Sequence, residues 1–233
     1  MGRRSSHTPQ QLRELILDAA QDIIDRKGLA GLSAREIART IGYSPGTIYN
    51  MFTNLDDVVL SVEARVLDAL DKRLTELPDD SANPDRRIVE IAHTYLSFTR
   101  ENPRLWNLLF EHHMPAGTAL PDWYQKKLEG LMSHVERALA HHFPPDSEAD
   151  RQRATRVLWA GVHGITSLST ADKLSVVTTE TAGRLIGRPC DSSLTVFGAR
   201  RNSSSRNWPP APPKTVTRPP PCRTAAATCC GCG

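Results

Sequence analysis

Two short helices separated by an abrupt break are written into residues 33–52, and this feature constrains the fold more than any other. Ser33-Ala34-Arg35-Glu36 has the form of a capping box, in which a serine hydroxyl and a glutamate satisfy the first free backbone N–H groups of a helix. Ile37, Ala38 and Ile41 give that helix one buried face. Gly42 stops it, because glycine takes the left-handed backbone that closes a helix. Ser44-Pro45 starts the next helix, a cap followed by the one residue whose missing N–H costs nothing in a first turn, and Ile48 and Phe52 face inward. A helix that ends and restarts within three residues must turn sharply. With the helix before it, the pair reads as a helix-turn-helix.

The flanking segments carry helical signals of their own. Thr8-Pro9-Gln10-Gln11 can cap and close a box, and Leu12, Leu15, Ile16, Ala19, Ala20, Ile23 and Ile24 recur at i, i+3, i+4 spacing up to Gly28. Thr53 or Asn54 caps a fourth helix over 55–77, with Asp56 and Asp57 at the positive end of its dipole. Further helical patterns run over 85–101, 103–113, 121–142 and 148–169, with another start near Thr179, and prolines mark the breaks between them. No alternating strand pattern stands out. The expectation is an all-α chain: a three-helix domain with the helix-turn-helix over 8–54, a larger helical domain over 55–186, and a disordered tail over 187–233.

Charge has to be read by segment. The formal net charge of +3 would suggest a nucleic-acid partner, yet seven of the 29 basic residues and one of the 26 acidic ones lie beyond Gly187, leaving −3 on residues 1–186. Net charge is therefore no argument for DNA. All five cysteines (Cys190, Cys222, Cys229, Cys230 and Cys232) and eight of the 17 prolines also lie in that tail. The body must fold by burial alone, as expected of a cytoplasmic protein, and no apolar run is long enough to span a membrane. The tail is too poor in apolar residues to offset the entropy of ordering it. Its onset inside a helical pattern is what a GC-rich gene read in a shifted frame would produce. Its cysteines could bind zinc only with a fold to preorganise them.

Leu29-Ala30-Gly31-Leu32-Ser33-Ala34-Arg35-Glu36-Ile37-Ala38-Arg39-Thr40-Ile41-Gly42-Tyr43-Ser44-Pro45-Gly46-Thr47-Ile48-Tyr49-Asn50-Met51-Phe52 resembles the DNA-binding domain of the TetR family. Trp159-Ala160-Gly161-Val162-His163-Gly164 resembles the Trp-x-x-x-His-Gly signature of one branch of its C-terminal domains. The resemblance implies a DNA-binding domain over 8–54 and a ligand-binding and dimerisation domain over 55–186, a homodimer on a palindromic operator in double-stranded DNA, and release of a repressor by a small-molecule effector. Two positions depart from the pattern: Leu55 stands where the family often has a phosphate-contacting Lys, and Met51 where it often has His or Tyr. The family's long last helix, half of its dimer interface, loses its pattern here at about Ile186, which implies a weakened dimer.

Site residues follow from chemistry and resemblance together. Ser44, Thr47 and Tyr49 carry hydroxyls suited to phosphate oxygens, and Pro45 and Gly46 let the backbone approach bases. Asn50 could read an adenine edge and Arg35 a guanine, while Arg3 and Arg4 could act as an arm or merely fray. Against these stand plainer roles, Ser44 as a cap and Tyr49 as a half-buried packing residue. In the body, His93, Tyr95, Phe98, Trp106, Phe110, His113, Trp123, Trp159 and His163 gather, and His93, Phe98, Trp106, Phe110, Trp123, Trp159 and His163 are the candidate ligand contacts. Aromatic residues at helical spacing are more often plain core. The pairs His112-His113 and His141-His142 are poor chelates, since neighbours on a helix point about 100° apart. No metal, cofactor or catalytic constellation is expected. The rival readings are a constitutive DNA-binding regulator without a ligand and an enzyme using the body's His and Glu residues.

Overall fold

The structure, a computed structural model, describes residues 7–78 and 83–187. The expectations for the tail and for Arg3 and Arg4 fall outside them. The described residues hold ten α-helices and no strand.

Helix α1 (Pro9–Lys27) opens on the full capping box, Thr8 accepting from the Gln11 backbone and Gln11 returning to the Thr8 N–H. Its core face is Leu12, Ile16, Leu17, Ala19, Ala20, Ile23 and Ile24. Leu17 thus takes a core place that the spacing had given to Leu15, which is only half-buried. Helix α2 (Ala34–Ile41) has half of the expected box. Ser33 accepts from the Glu36 N–H at 3.1 Å, but the Glu36 carboxylate turns to Arg39 and to Lys27 of α1. Two cations hold it more strongly than one backbone N–H would. Gly42 ends α2 in the left-handed region at φ +73°, and α3 (Pro45–Met51) follows.

Helix α4 (Leu55–Thr75) is capped by Asn54, whose side chain accepts from the Asp57 N–H at 2.8 Å. It ends two residues earlier than its apolar pattern suggested. Buried residues run around most of its circumference, as they must in a helix covered on several sides. Its neighbours are α1, α5 (Pro84–Glu101), α6 (Pro103–Glu111) and α7 (Asp122–Leu139). One continuous core joins α1 and α4 to the helices beyond.

The remaining elements differ from expectation mainly at their ends. Helix α6 stops at Glu111, and α7 gives way to a 3₁₀ turn at Ala140–His142 ahead of Pro144. Helix α8 (Glu148–Thr170) is the expected long helix. In place of one helix beginning near Thr179 there are two short ones, α9 (Leu174–Val177) and α10 (Ala182–Gly187). Thr181, not Thr179, accepts from the first turn of α10 through its backbone carbonyl. Ala182 and Ile186 pack with Ala92, Leu96 and Leu174 in a small second core.

Candidate DNA-reading surface and effector cavity

Helix α3 has one buried and one bare face. Ile48 and Phe52, 0% and 2% exposed, anchor it, while Tyr49 is 54% exposed and Ser44, Pro45, Gly46 and Asn50 are exposed beside it. Ser44 is not a side-chain cap. Its hydroxyl pairs with that of Thr47 at 3.1 Å, so both hydroxyls meet at the start of the helix. A Cβ built on Gly46 would find only the Ser44 hydroxyl, at 3.8 Å, so nothing inside the fold requires glycine there. Arg35 stands exposed on α2, whereas its neighbour Arg39 is held by Glu36. Between them, Arg39 and Lys27 hold the Glu36 carboxyl well below the usual carboxylate range, at about 2.

Sequence reasoning missed the residue that fixes this helix. Arg13 of α1 donates from Nη1 to the carbonyl of Met51 and from Nη2 to Ser61 of α4, each at 3.2 Å, and its guanidinium lies over the Phe52 ring. One side chain thereby ties α1, the end of α3 and α4. The N-terminal approach is tied as well, since His7 Nδ1 lies 2.8 Å from the Tyr43 hydroxyl in the turn.

Beyond α4, helices α4 to α8 surround a cavity enclosing about 560 Å³ with its open mouth, lined by apolar side chains such as Leu74, Leu131 and Val162 together with Tyr95, Trp106 and Trp159. The centre of a water molecule can occupy about 50 Å³ of it, room for only a few waters. Of the seven candidate contacts, Trp106 and Trp159 stand in its walls. His163 lies just behind, its Nδ1 2.7 Å from the Tyr95 hydroxyl. Burial pushes the Tyr95 phenol up and the His163 imidazole down, so a protonated tyrosine donates to a neutral ring. The other ring nitrogen, 3.2 Å from the Ser167 hydroxyl, then carries the N–H.

The other four candidates are divided. Phe110 is 41% exposed and stacks on the outer face of His163 at 4.2 Å, while Trp159 lies parallel to the same ring at 5.3 Å. Phe98 is buried behind Trp106, edge-on at 5.9 Å, with Arg73 over its ring. His93 and Trp123 do not join the group: His93 is exposed beside Gly187 at the end of α10, and Trp123 is 42% exposed against Tyr124. Among the described residues no three His, Cys, Asp or Glu side chains converge in a metal-binding arrangement, and no helix is long and apolar enough to cross a membrane.

Residues 16–62 match the family model of bacterial regulatory proteins of the tetR family, and residues 88–187 that of the tetracyclin repressor-like C-terminal domain. The uncharacterized HTH-type transcriptional regulator YobS of Bacillus subtilis is 27% identical over 161 residues, covering 67% of this chain and 78% of that one. A Rhodococcus protein of unknown function shares the fold at a TM-score of 0.63 and 19% identity, over 84% of this chain and 97% of its own. The regulator FadR from Bacillus subtilis, solved in complex with stearoyl-CoA, does so at 0.59 and 17% identity, over 79% and 96%. With a helix-turn-helix whose second helix is bare on one face, and with family models matched over residues 16–62 and 88–187, this chain belongs to the TetR family of DNA-binding transcriptional regulators.

Proposed function

We propose that this chain is a repressor that works by binding rather than catalysis, occupying a palindromic operator as a cytoplasmic homodimer and leaving it when an apolar small molecule enters the cavity. The division of labour runs along the sequence, with 8–54 reading DNA and 55–186 sensing and dimerising. Tyr49, Ser44 and Thr47 bear on phosphates, and Arg35 and Asn50 on base edges. Pro45 and Gly46 keep the start of α3 slim enough to approach the groove.

The observation that carries the effector half is the cavity itself. Its walls offer apolar carbon and three aromatic rings. Such a site suits a molecule held by burial, with few polar contacts to fix its orientation. Its small free volume means that a ligand of any length must push the walls apart, and the walls include α4 and α6, which pack on α1. Filling the cavity and moving the DNA-binding helices are then one event. The ligand of FadR, a long acyl thioester, supplies the first probe.

The test is release from DNA. Duplexes selected from genomic fragments with the full chain are titrated with stearoyl-CoA and with shorter acyl thioesters, following fluorescence anisotropy. Release by an apolar ligand that also raises the thermal midpoint supports the reading. A chain that binds its duplex but whose midpoint no apolar ligand shifts is a constitutive regulator instead.

A further inference from the structure

His112, which follows the last residue of α6, stands between two carboxylates of α4. Its Nδ1 lies 2.9 Å from Glu63 Oε1 and its Nε2 3.2 Å from Asp56 Oδ1. Tyr124, in the first turn of α7, donates to the other Glu63 oxygen at 2.8 Å. The His112 and Glu63 side chains are 7% and 3% exposed, and Asp56 is at the surface end of the group with 35%.

A neutral imidazole has one N–H and one lone pair. It can donate to one of these carboxylates, and its lone pair would then face an oxygen of the other. Both contacts are hydrogen bonds only if the group holds one proton more than a neutral ring and two carboxylates would. That proton sits either on the second ring nitrogen or on one of the two carboxyls, and it belongs to the group rather than to one member. Burial pushes the Glu63 carboxyl above its ordinary range, with Tyr124 and His112 opposing the rise. The titratable groups facing the ring are Asp56 and Glu63 of α4 and, through Glu63, Tyr124 of α7. On the segment of His112 itself, Glu111 offers only its backbone carbonyl, to His113.

The placement gives the proton a task. Asp56 lies within the stretch matched by the family's DNA-binding model, and His112 and Tyr124 lie within the stretch matched by its C-terminal model. At the other end of α6, Arg104 donates to the Asp25 carbonyl at 2.8 Å and to that of Arg26, the last turn of α1. Helix α6 is thus pinned to both α1 and α4.

We propose that His112 is a positioning residue for operator binding: with Glu63 and Asp56 it holds one buried proton, and that proton keeps α4, and with it the reading helix, docked on the C-terminal body. The docked state binds the proton more tightly than the undocked one. For Glu63, raised above its ordinary 4.5 in the fold, the contribution is full below that pH and is lost as pH rises through the raised value. Operator affinity therefore falls on the alkaline side. The proposal rests on the DNA-binding part of the reading above and not on the effector.

Glu63→Gln separates the proton from the shape. Its amide N–H can donate to His112 Nδ1 and its carbonyl can accept from Tyr124, while the ring Nε2–H goes to Asp56, so every hydrogen bond survives with a neutral ring. Thermal midpoints without DNA and affinities for the selected duplex are measured upward from pH 4.5 to about pH 9 on the full chain. In the wild type the midpoint falls with pH, and affinity drops by up to about tenfold per pH unit once the proton leaves. In Glu63→Gln both profiles flatten, to within about twofold in affinity per unit. A Glu63→Gln chain that tracks the wild type in both measurements overturns the proposal. A flattened midpoint with an unchanged affinity profile overturns the positioning role. Should the variant not fold, nitrogen and carboxyl NMR of the folded wild type over the same pH range decides: one proton more than a neutral ring and two carboxylates would hold, kept to a higher pH than a free carboxyl keeps it, supports the proposal, and a neutral ring beside two ionised carboxylates throughout overturns it. A wild-type chain that binds no duplex removes the positioning role together with the reading it rests on, while the NMR still reports the proton.

Discussion

The guanidinium carbon of Arg13, on α1, stands 4.1 Å from the centre of the ring of Phe52, the residue that caps the end of α3. The same guanidinium donates to the Met51 carbonyl, an acceptor that the end of α3 leaves free. Arg13 thus ties the end of α3 to α1 and α4 with its guanidinium engaged inside the fold. Arg13→Ala is expected to cost about 2 kcal/mol of folding stability from lost charged hydrogen bonds and stacking. Because no phosphate contact is lost, the slope of affinity against salt should stay that of the wild type, whereas a change of about one charge in that slope would make Arg13 a DNA contact.

Gly46 offers a sharper separation of fold from function. Alanine there meets nothing closer than 3.8 Å, and alanine is the better helix former. Gly46→Ala should leave the thermal midpoint unchanged or slightly raised and lower operator affinity about tenfold, or about 1.4 kcal/mol. An unchanged affinity would mean that the backbone of α3 does not approach the bases.

Phosphate and base contacts divide the remaining surface. Tyr49→Phe should weaken binding to all sequences alike, and Arg35→Ala should cost about 1–3 kcal/mol at one operator position and relax the preference there. Binding of both variants to a panel of single-substitution duplexes reads the difference. Uniform losses from both would remove the division.

How much of this was legible in the sequence depends on the range of the interaction. Caps are local, so the Thr8 box and the Gly42 stop could be read directly, and the cap of α4 could be narrowed to Thr53 or Asn54, of which Asn54 accepts the bond. Glu36 defeated the same logic because one of its partners, Lys27, lies on another helix. Arg13 reaches 38 residues along the chain to Met51, and no local pattern carries that. In the cavity the limit is of another kind. Leu74, Leu131 and Val162 line it, yet a leucine that lines a void and one that fills a core have the same periodicity. Periodicity gave His93 and Trp123 a place on their helices but not which helix faces meet around the cavity, so both stay exposed away from it while Trp106 and Trp159 stand in its walls.

For sensing, Phe110 is the clean probe. Trp106 is 5% exposed, and replacing it by alanine should cost about 3–5 kcal/mol of stability, confounding any effect on ligand response. Phe110 is 41% exposed and covers His163 from outside, so Phe110→Ala should fold normally. It should shift the concentration of acyl thioester that releases DNA while leaving the affinity of the unliganded protein within several-fold. An unaltered response would place the stack outside the ligand's reach.

The central claim, that the bare face of α3 reads a specific operator, is tested most directly by selecting genomic fragments with the purified full chain and sequencing what is retained. The account predicts enrichment of an inverted repeat whose half-sites lie about one or two DNA turns apart, bound at least about a thousandfold more tightly than unrelated DNA. Retention without a shared sequence, at the affinity of non-specific binding, would contradict it.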